Sequence, residues 1–220
     1  VVEGIPQHSY NIKGVFDYVA QLFGDHYFNP DYDGYTSTDY SKDGEVLTLQ
    51  KAETGRGIDL VFMGDAFVDK DMEPGGLYEQ KMEEAMEQFF SIEPYTSLRN
   101  RFNVYAVKVV SPNAEFMPNA VHRINRNSTI CFEYVEKINK VNLYHAPMVS
   151  VIYNTNGSAG RSYTELYTDG TFVAYMMEGV NEVLIHESGG HGLAKLLDEY
   201  VEPGMGSEPV PEEERAYMEN

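Results

Sequence analysis

Residues 185–200 read IHESGGHGLAKLLDEY, and the distance between the two histidines decides how the chain is to be understood. In the H-E-x-x-H pattern of zinc-binding helices, two histidines four residues apart share one helical face, with a glutamate beside the first. Here Ser188, Gly189 and Gly190 separate Glu187 from His191, so the spacing is five. At about 100° per residue, a regular helix would turn the second imidazole about 140° away from the first. One extra residue is accommodated where a turn widens to i→i+5 hydrogen bonding, a π-bulge, which occurs preferentially at functional sites. Gly189 and Gly190 lie inside that turn, and each costs on the order of 1 kcal/mol in regular helix. The pair therefore predicts an irregular backbone that brings His186 and His191 back to one side. Val183, Leu184 and Ile185 before the motif and LAKLL after it mark a helix of the core rather than a solvated face.

Neutral imidazoles bind zinc, and a catalytic zinc site keeps one position open for water. His186 and His191 are accordingly candidate ligands, and Glu187 is placed to act as general base. A third ligand is needed. Asp198 is favoured, with Glu199 second and His145 or His122 as more distant choices. In an unbroken helix Asp198 would sit about 10 Å beyond His191 along the axis. The helix must therefore stop, and the chain turn back, soon after His191. Gly192 would permit this, although LAKLL reads as helical.

The rest of the composition sets limits. With 220 residues and 42% hydrophobic content the chain can bury one sizeable core. A net charge of −19 makes nucleic acid or an anionic membrane surface an unsuitable partner. No apolar run is long enough to predict a transmembrane segment. The single cysteine, Cys131, excludes an intrachain disulfide and any multi-cysteine zinc site.

Residues 1–50 read as an amino-terminal appendage or linker, and 51–220 as the domain carrying the motif. Within the appendage, GVFDYVAQLF (14–23) has the spacing of a short helix. The Tyr- and Asp-rich stretch 27–43 reads as loop, and its aspartates do not match a calcium-loop spacing. The opening VVEGIPQ suggests a chain processed or cut from something longer. From residue 57 the pattern is regular. GIDLVFMGD reads as a buried strand, LYEQKMEEAMEQFF as an amphipathic helix and RFNVYAVKVV as a second strand. Together they predict a βαβ unit with a parallel pair. TICFEYVEKI predicts a helix, PMVSVIYNT (147–155) a strand, NGSAGRSY a loop and TFVAYMM a further strand. Pro147 suits PMVSVIYNT to an edge position along which an extended substrate would pair. Arg161 and Tyr163, in the adjacent loop, are candidates to hold a tetrahedral oxyanion. The expected fold is α/β, a zincin-like mixed sheet with packed helices and a late metal-motif helix.

Three stretches carry a resemblance to the IgA-peptidase family of zinc metallopeptidases, which are metzincin-like. IDLVFMGDAF (58–67) resembles that family's strand ending in Gly-Asp. FFSIEPYTSLRNRFNVYAVKVVS (89–111) is similar to the segment that follows. HESGGHGLAKLLDEY (186–200) resembles its metal motif, which in many members reads H-E-x-G-H and ends in Asp-Glu-Tyr. The resemblance implies a zinc-dependent endopeptidase with His186, His191 and Asp198 as ligands and Glu187 as general base. It also implies a protein or peptide substrate, a secreted, surface or periplasmic location, and an additional amino-terminal β-domain of which residues 1–50 would be the end or the linker. The chain departs from the family pattern in its extra residue before His191. Ala194 also stands where many members have a glycine at the turn. Met205 and Met218 are the later methionines available for a turn beneath the metal. Two alternatives remain open: a zinc aminopeptidase, with a pocket closed at one end, and a catalytically silent zincin scaffold used for adhesion or ligand binding.

Overall fold

The computed structural model describes residues 34–114, 120–138, 148–155 and 157–198. Six strands form one sheet: β1 (Val46–Gln50), β2 (Ile58–Asp65), β3 (Phe102–Val107), β4 (Met148–Tyr153), β5 (Tyr163–Leu166) and β6 (Phe172–Met176). Their order is β1-β3-β2-β4-β6-β5. The four inner strands are parallel, and β1 and β5 lie antiparallel at the two edges. The mixed α/β architecture expected from the sequence is present, including the βαβ unit from β2 through the helix Leu77–Phe89 to β3. Residues 46–50, the last of the stretch read as an appendage, form β1 within this sheet.

Burial explains the composition of the strands. β2 is buried at every residue after Ile58 and β4 at all six, as expected of parallel strands covered on both faces. Alternate residues feed two cores. Leu60, Phe62, Met148, Ile152, Phe172 and Met176 meet Tyr78, Met82, Ala85 and Phe89 of the long helix. Val61, Met63, Val149, Val151, Val173 and Tyr175 meet Cys131, Tyr134 and Val135 of the helix Ser128–Val135. The Asn127 side chain caps that second helix by accepting from the Thr129 N–H, 3.1 Å away. Burial raises the Cys131 thiol pKa, consistent with a structural thiol.

PMVSVIYNT does not lie at an edge. β4 pairs with β2 on one side and β6 on the other. Pro147 itself lies outside the described residues. The edge nearest the metal motif is β5 instead. Tyr163, expected in a loop, opens this strand, and the connection before it ends at Ser162.

The Gly-Asp at the end of β2 has a specific structural use. A Cβ at Gly64 would lie 2.5 Å from the Phe67 ring and 2.8 Å from the Tyr78 ring, so only glycine fits. The wholly buried Asp65 carboxylate accepts from the Ser111 hydroxyl at 2.6 Å and from the N–H groups of Ala66, Arg123 and Asn125 at 3.0, 3.0 and 2.7 Å. It thereby holds the turn 123–126, in which Asn125 (φ 46) and Arg126 (φ 58) adopt left-handed backbone. Part of the Tyr- and Asp-rich stretch is also pinned to the domain. Asp43 accepts from the Val110 N–H and from the Tyr134 hydroxyl, each at 2.8 Å. The expected helix 14–23, His145, Glu199, Met205 and Met218 lie outside the described residues. Among the described residues, no helix is long and apolar enough to cross a membrane.

Candidate active site

The segment Ile185–Leu193 is a π-helix. The widening expected as one bulged turn therefore continues through nine residues. Its end keeps the wide spacing, with the Ala194 N–H bonded to the Gly189 carbonyl at 2.9 Å. Four neighbours fix it against the sheet. Ser188 and Ser150 of β4, both wholly buried, share a hydroxyl–hydroxyl hydrogen bond of 2.6 Å. A Cβ at Gly189 would lie 2.7 Å from the Tyr95 ring, and one at Gly192 would lie 2.4 Å from the Phe172 ring. Burial raises the Tyr95 pKa, so that ring enters the contact as the neutral phenol. At Gly190 the nearest such atom is 3.9 Å away, so packing there leaves room for a side chain. Finally, the Thr164 hydroxyl of β5 reaches the Glu187 carboxylate at 2.7 Å and its carbonyl at 2.9 Å.

With residues 187, 188, 189 and 192 turned to the core, His186 and His191 fall on the open side. After Leu193 the helix stops. Ala194 caps it, Lys195 takes left-handed backbone (φ 56), and the Leu196 N–H bonds to the Gly190 carbonyl at 3.0 Å. The turn thus falls one residue beyond Ala194 and three beyond Gly192. Lys195 donates to the Gly170 carbonyl at 3.1 Å, and burial holds its ammonium pKa below the ordinary value.

The reversal carries Asp198 back to the histidines. His186 Nε2 and His191 Nε2 are 3.1 Å apart, and each is 3.2 Å from Asp198 Oδ1. These three residues form a group able to hold a metal ion, and His122 is not part of it. The donor set fits zinc. Tetrahedral ligands about 2.0–2.1 Å from the ion stand about 3.3–3.4 Å from one another, close to the observed separations. His191 is also oriented from behind, because its Nδ1 lies 2.6 Å from the Leu196 carbonyl. A proton on Nδ1 satisfies that carbonyl and leaves Nε2 free to ligate, a common arrangement behind metal-binding histidines.

Glu187 is 6% exposed and opens onto the same cleft as His191 and Asp198. The cleft has a volume of about 610 Å³ and runs along β5 from Gly160 to Leu166. The Tyr167 N–H bonds back to the Thr171 carbonyl, which sets the phase of the β5–β6 ladder. Antiparallel pairs alternate, so the backbone groups of Thr164 and Leu166 point away from β6, to the free edge. Arg161 lines the cleft beside them. Tyr163 differs from the expectation for an oxyanion ligand: its ring turns to the opposite face of the sheet and stacks on Tyr175 at 4.9 Å.

Thr164 was not singled out in the sequence. Its signal is weak, since a threonine in a four-residue, half-buried strand carries no motif. No protein of curated function matches the chain. The model of one family, IgA peptidase M64, matches residues 47–217, from β1 past the metal-motif helix. The chain therefore belongs to the IgA peptidase M64 family and is a peptidase, a hydrolase of peptide bonds.

Proposed function

We propose that the protein is a zinc-dependent endopeptidase in which His186, His191 and Asp198 hold the ion and Glu187 is the general base. The observation that carries this reading is the triangle of donor atoms, 3.1–3.2 Å on each side, with Glu187 on the same short helix. Zinc, when bound, supplies Lewis-acid polarisation of the scissile carbonyl and lowers the pKa of water towards about 7. The chain does the rest. An extended substrate pairs with the outward backbone groups of Thr164 and Leu166, as an added strand on the sheet. Thr164 occupies Oε2 of Glu187, which leaves Oε1 to take the proton of the attacking water. As the new C–O bond forms and the C–N bond breaks, Glu187 returns that proton to the departing amine. A cleft running the length of the edge strand supports internal cleavage over removal of single terminal residues.

Metal removal tests this. Dialysis against a strong chelator should abolish cleavage of a quenched-fluorescence peptide library, and stoichiometric zinc should restore it. Cleavage that persists in metal-free protein would sink the proposal.

A further inference from the structure

Resting on that reading, we infer that the Tyr163 end of the cleft is a carboxylate-binding subsite built on Arg126, which selects peptides bearing an acidic group. Arg126 lines the cleft that also contains Glu187, His191 and Asp198. Its backbone is left-handed at φ 58, next to Asn125 at φ 46. Such conformations are costly for residues with a Cβ, and glycine would adopt them freely. The turn itself therefore does not call for arginine. Buried Asp65 holds that turn through the N–H groups of Arg123 and Asn125, and the Arg126 N–H reaches the Tyr153 hydroxyl at 3.2 Å.

The guanidinium has one anchor of its own. One N–H of Nη2 donates to the Ala159 carbonyl at 3.2 Å, and a Cβ on Gly160 would stand 3.1 Å from the same nitrogen. Its remaining donors meet no carboxylate among the described residues. This occurs in a chain with 35 acidic and 16 basic side chains, where surface guanidinium groups have many anions to choose from. Arg161 lines the same end of the cleft and adds a second cation. A planar guanidinium suits a carboxylate, which it can grip through two parallel hydrogen bonds. In a protein of charge −19, a local cation is what allows an anionic substrate to settle. Arg161 stands two residues ahead of β5, at the Tyr163 end of the edge strand. The recognised group therefore sits to the Tyr163 side of the scissile bond. It is either an acidic side chain or the carboxylate at the end of the peptide.

The test uses zinc-loaded Glu187→Gln protein, which binds without turning over, and fluorescent hexapeptides read by anisotropy. One set carries Glu or Gln at each position in turn with an amidated end. The other lacks acidic side chains and ends free or amidated. At least tenfold tighter binding of a Glu peptide than its Gln twin assigns the subsite to side chains. The same ratio between free and amidated ends assigns it to the terminus. In Glu187→Gln/Arg126→Gln the ratio should fall to about one, and in Glu187→Gln/Arg126→Lys to an intermediate value. Each ratio is taken within one protein, so a general loss of binding does not mimic the effect. Equal binding of twins, no binding of any peptide, or selectivity that survives Arg126→Gln overturns the proposal. Cleavage by the wild type without carboxylate selectivity defeats the subsite and leaves the peptidase mechanism standing. Selective binding without cleavage does the reverse.

Discussion

Replacing Glu187 with glutamine should lower kcat by about 10²–10⁴-fold, the range associated with loss of general acid–base catalysis, while zinc content stays unchanged. The amide has the volume of the carboxylate it replaces, so the nearly buried position is not emptied. Its oxygen can still accept from the Thr164 hydroxyl, which lies 2.7 Å from Oε2 in the parent. What disappears is a basic oxygen beside the cluster. Because Glu187 is outside the donor triangle, elemental analysis of the variant should give the parent's zinc content. Peptide affinity should change little, which puts the loss in kcat rather than KM. A variant that cleaves at the parent rate would remove Glu187 from the mechanism.

Asp65→Ala should have the largest effect on stability. The carboxylate satisfies a hydroxyl and three backbone N–H groups inside the domain. The Ala66 and Arg123 N–H groups keep the Ser111 hydroxyl as an alternative partner at 2.9 and 3.3 Å, so the loss falls mainly on Asn125 and Ser111. Unsatisfied groups of this kind cost about 1–3 kcal/mol each when buried, and Asn125 is only partly so. A net loss of about 3 kcal/mol is expected. In a domain of this size that lowers Tm by about 6–12 °C. Asp65→Asn should fall between, since it keeps one acceptor oxygen but turns an N–H₂ group towards the Asn125 N–H. Calorimetry of the three proteins checks the order, and an Asp65→Ala protein as stable as the parent would refute the account of this turn. The same change should free Arg126 and weaken carboxylate selectivity.

The long-period features were legible in the sequence, and the short contacts were not. The apolar run of β2 and the Met and Phe stripe of the following helix announced a parallel unit, because burial on both faces leaves few polar positions. The five-residue spacing and the glycines of HESGGH announced a widened helix. They did not reveal why Gly189 must be glycine, since Tyr95 is supplied from far away in sequence. β5 was hidden for a different reason. YTEL is four residues long, three of them half-buried and one exposed, so it shows neither a continuous apolar run nor clean alternation. VLTLQ at β1 is half-buried in a polar context and reads as part of the preceding segment. The return of Asp198 needed a break after His191, but LAKLL has helical composition. The break comes from a left-handed lysine that no local rule indicates. Arg126 was missed because its place depends on Asp65, sixty-one positions earlier.

The most direct test of the metal centre is zinc per chain, by elemental analysis, in the wild type and in His191→Ala. His191 provides one corner of the triangle and is oriented by the Leu196 carbonyl. About one zinc per wild-type chain is expected, falling well below that in the variant while the fold, read by circular dichroism, is retained. A wild type that takes up no zinc even after reconstitution, or a His191→Ala protein that retains it fully, would contradict the assignment of this cluster as the metal site.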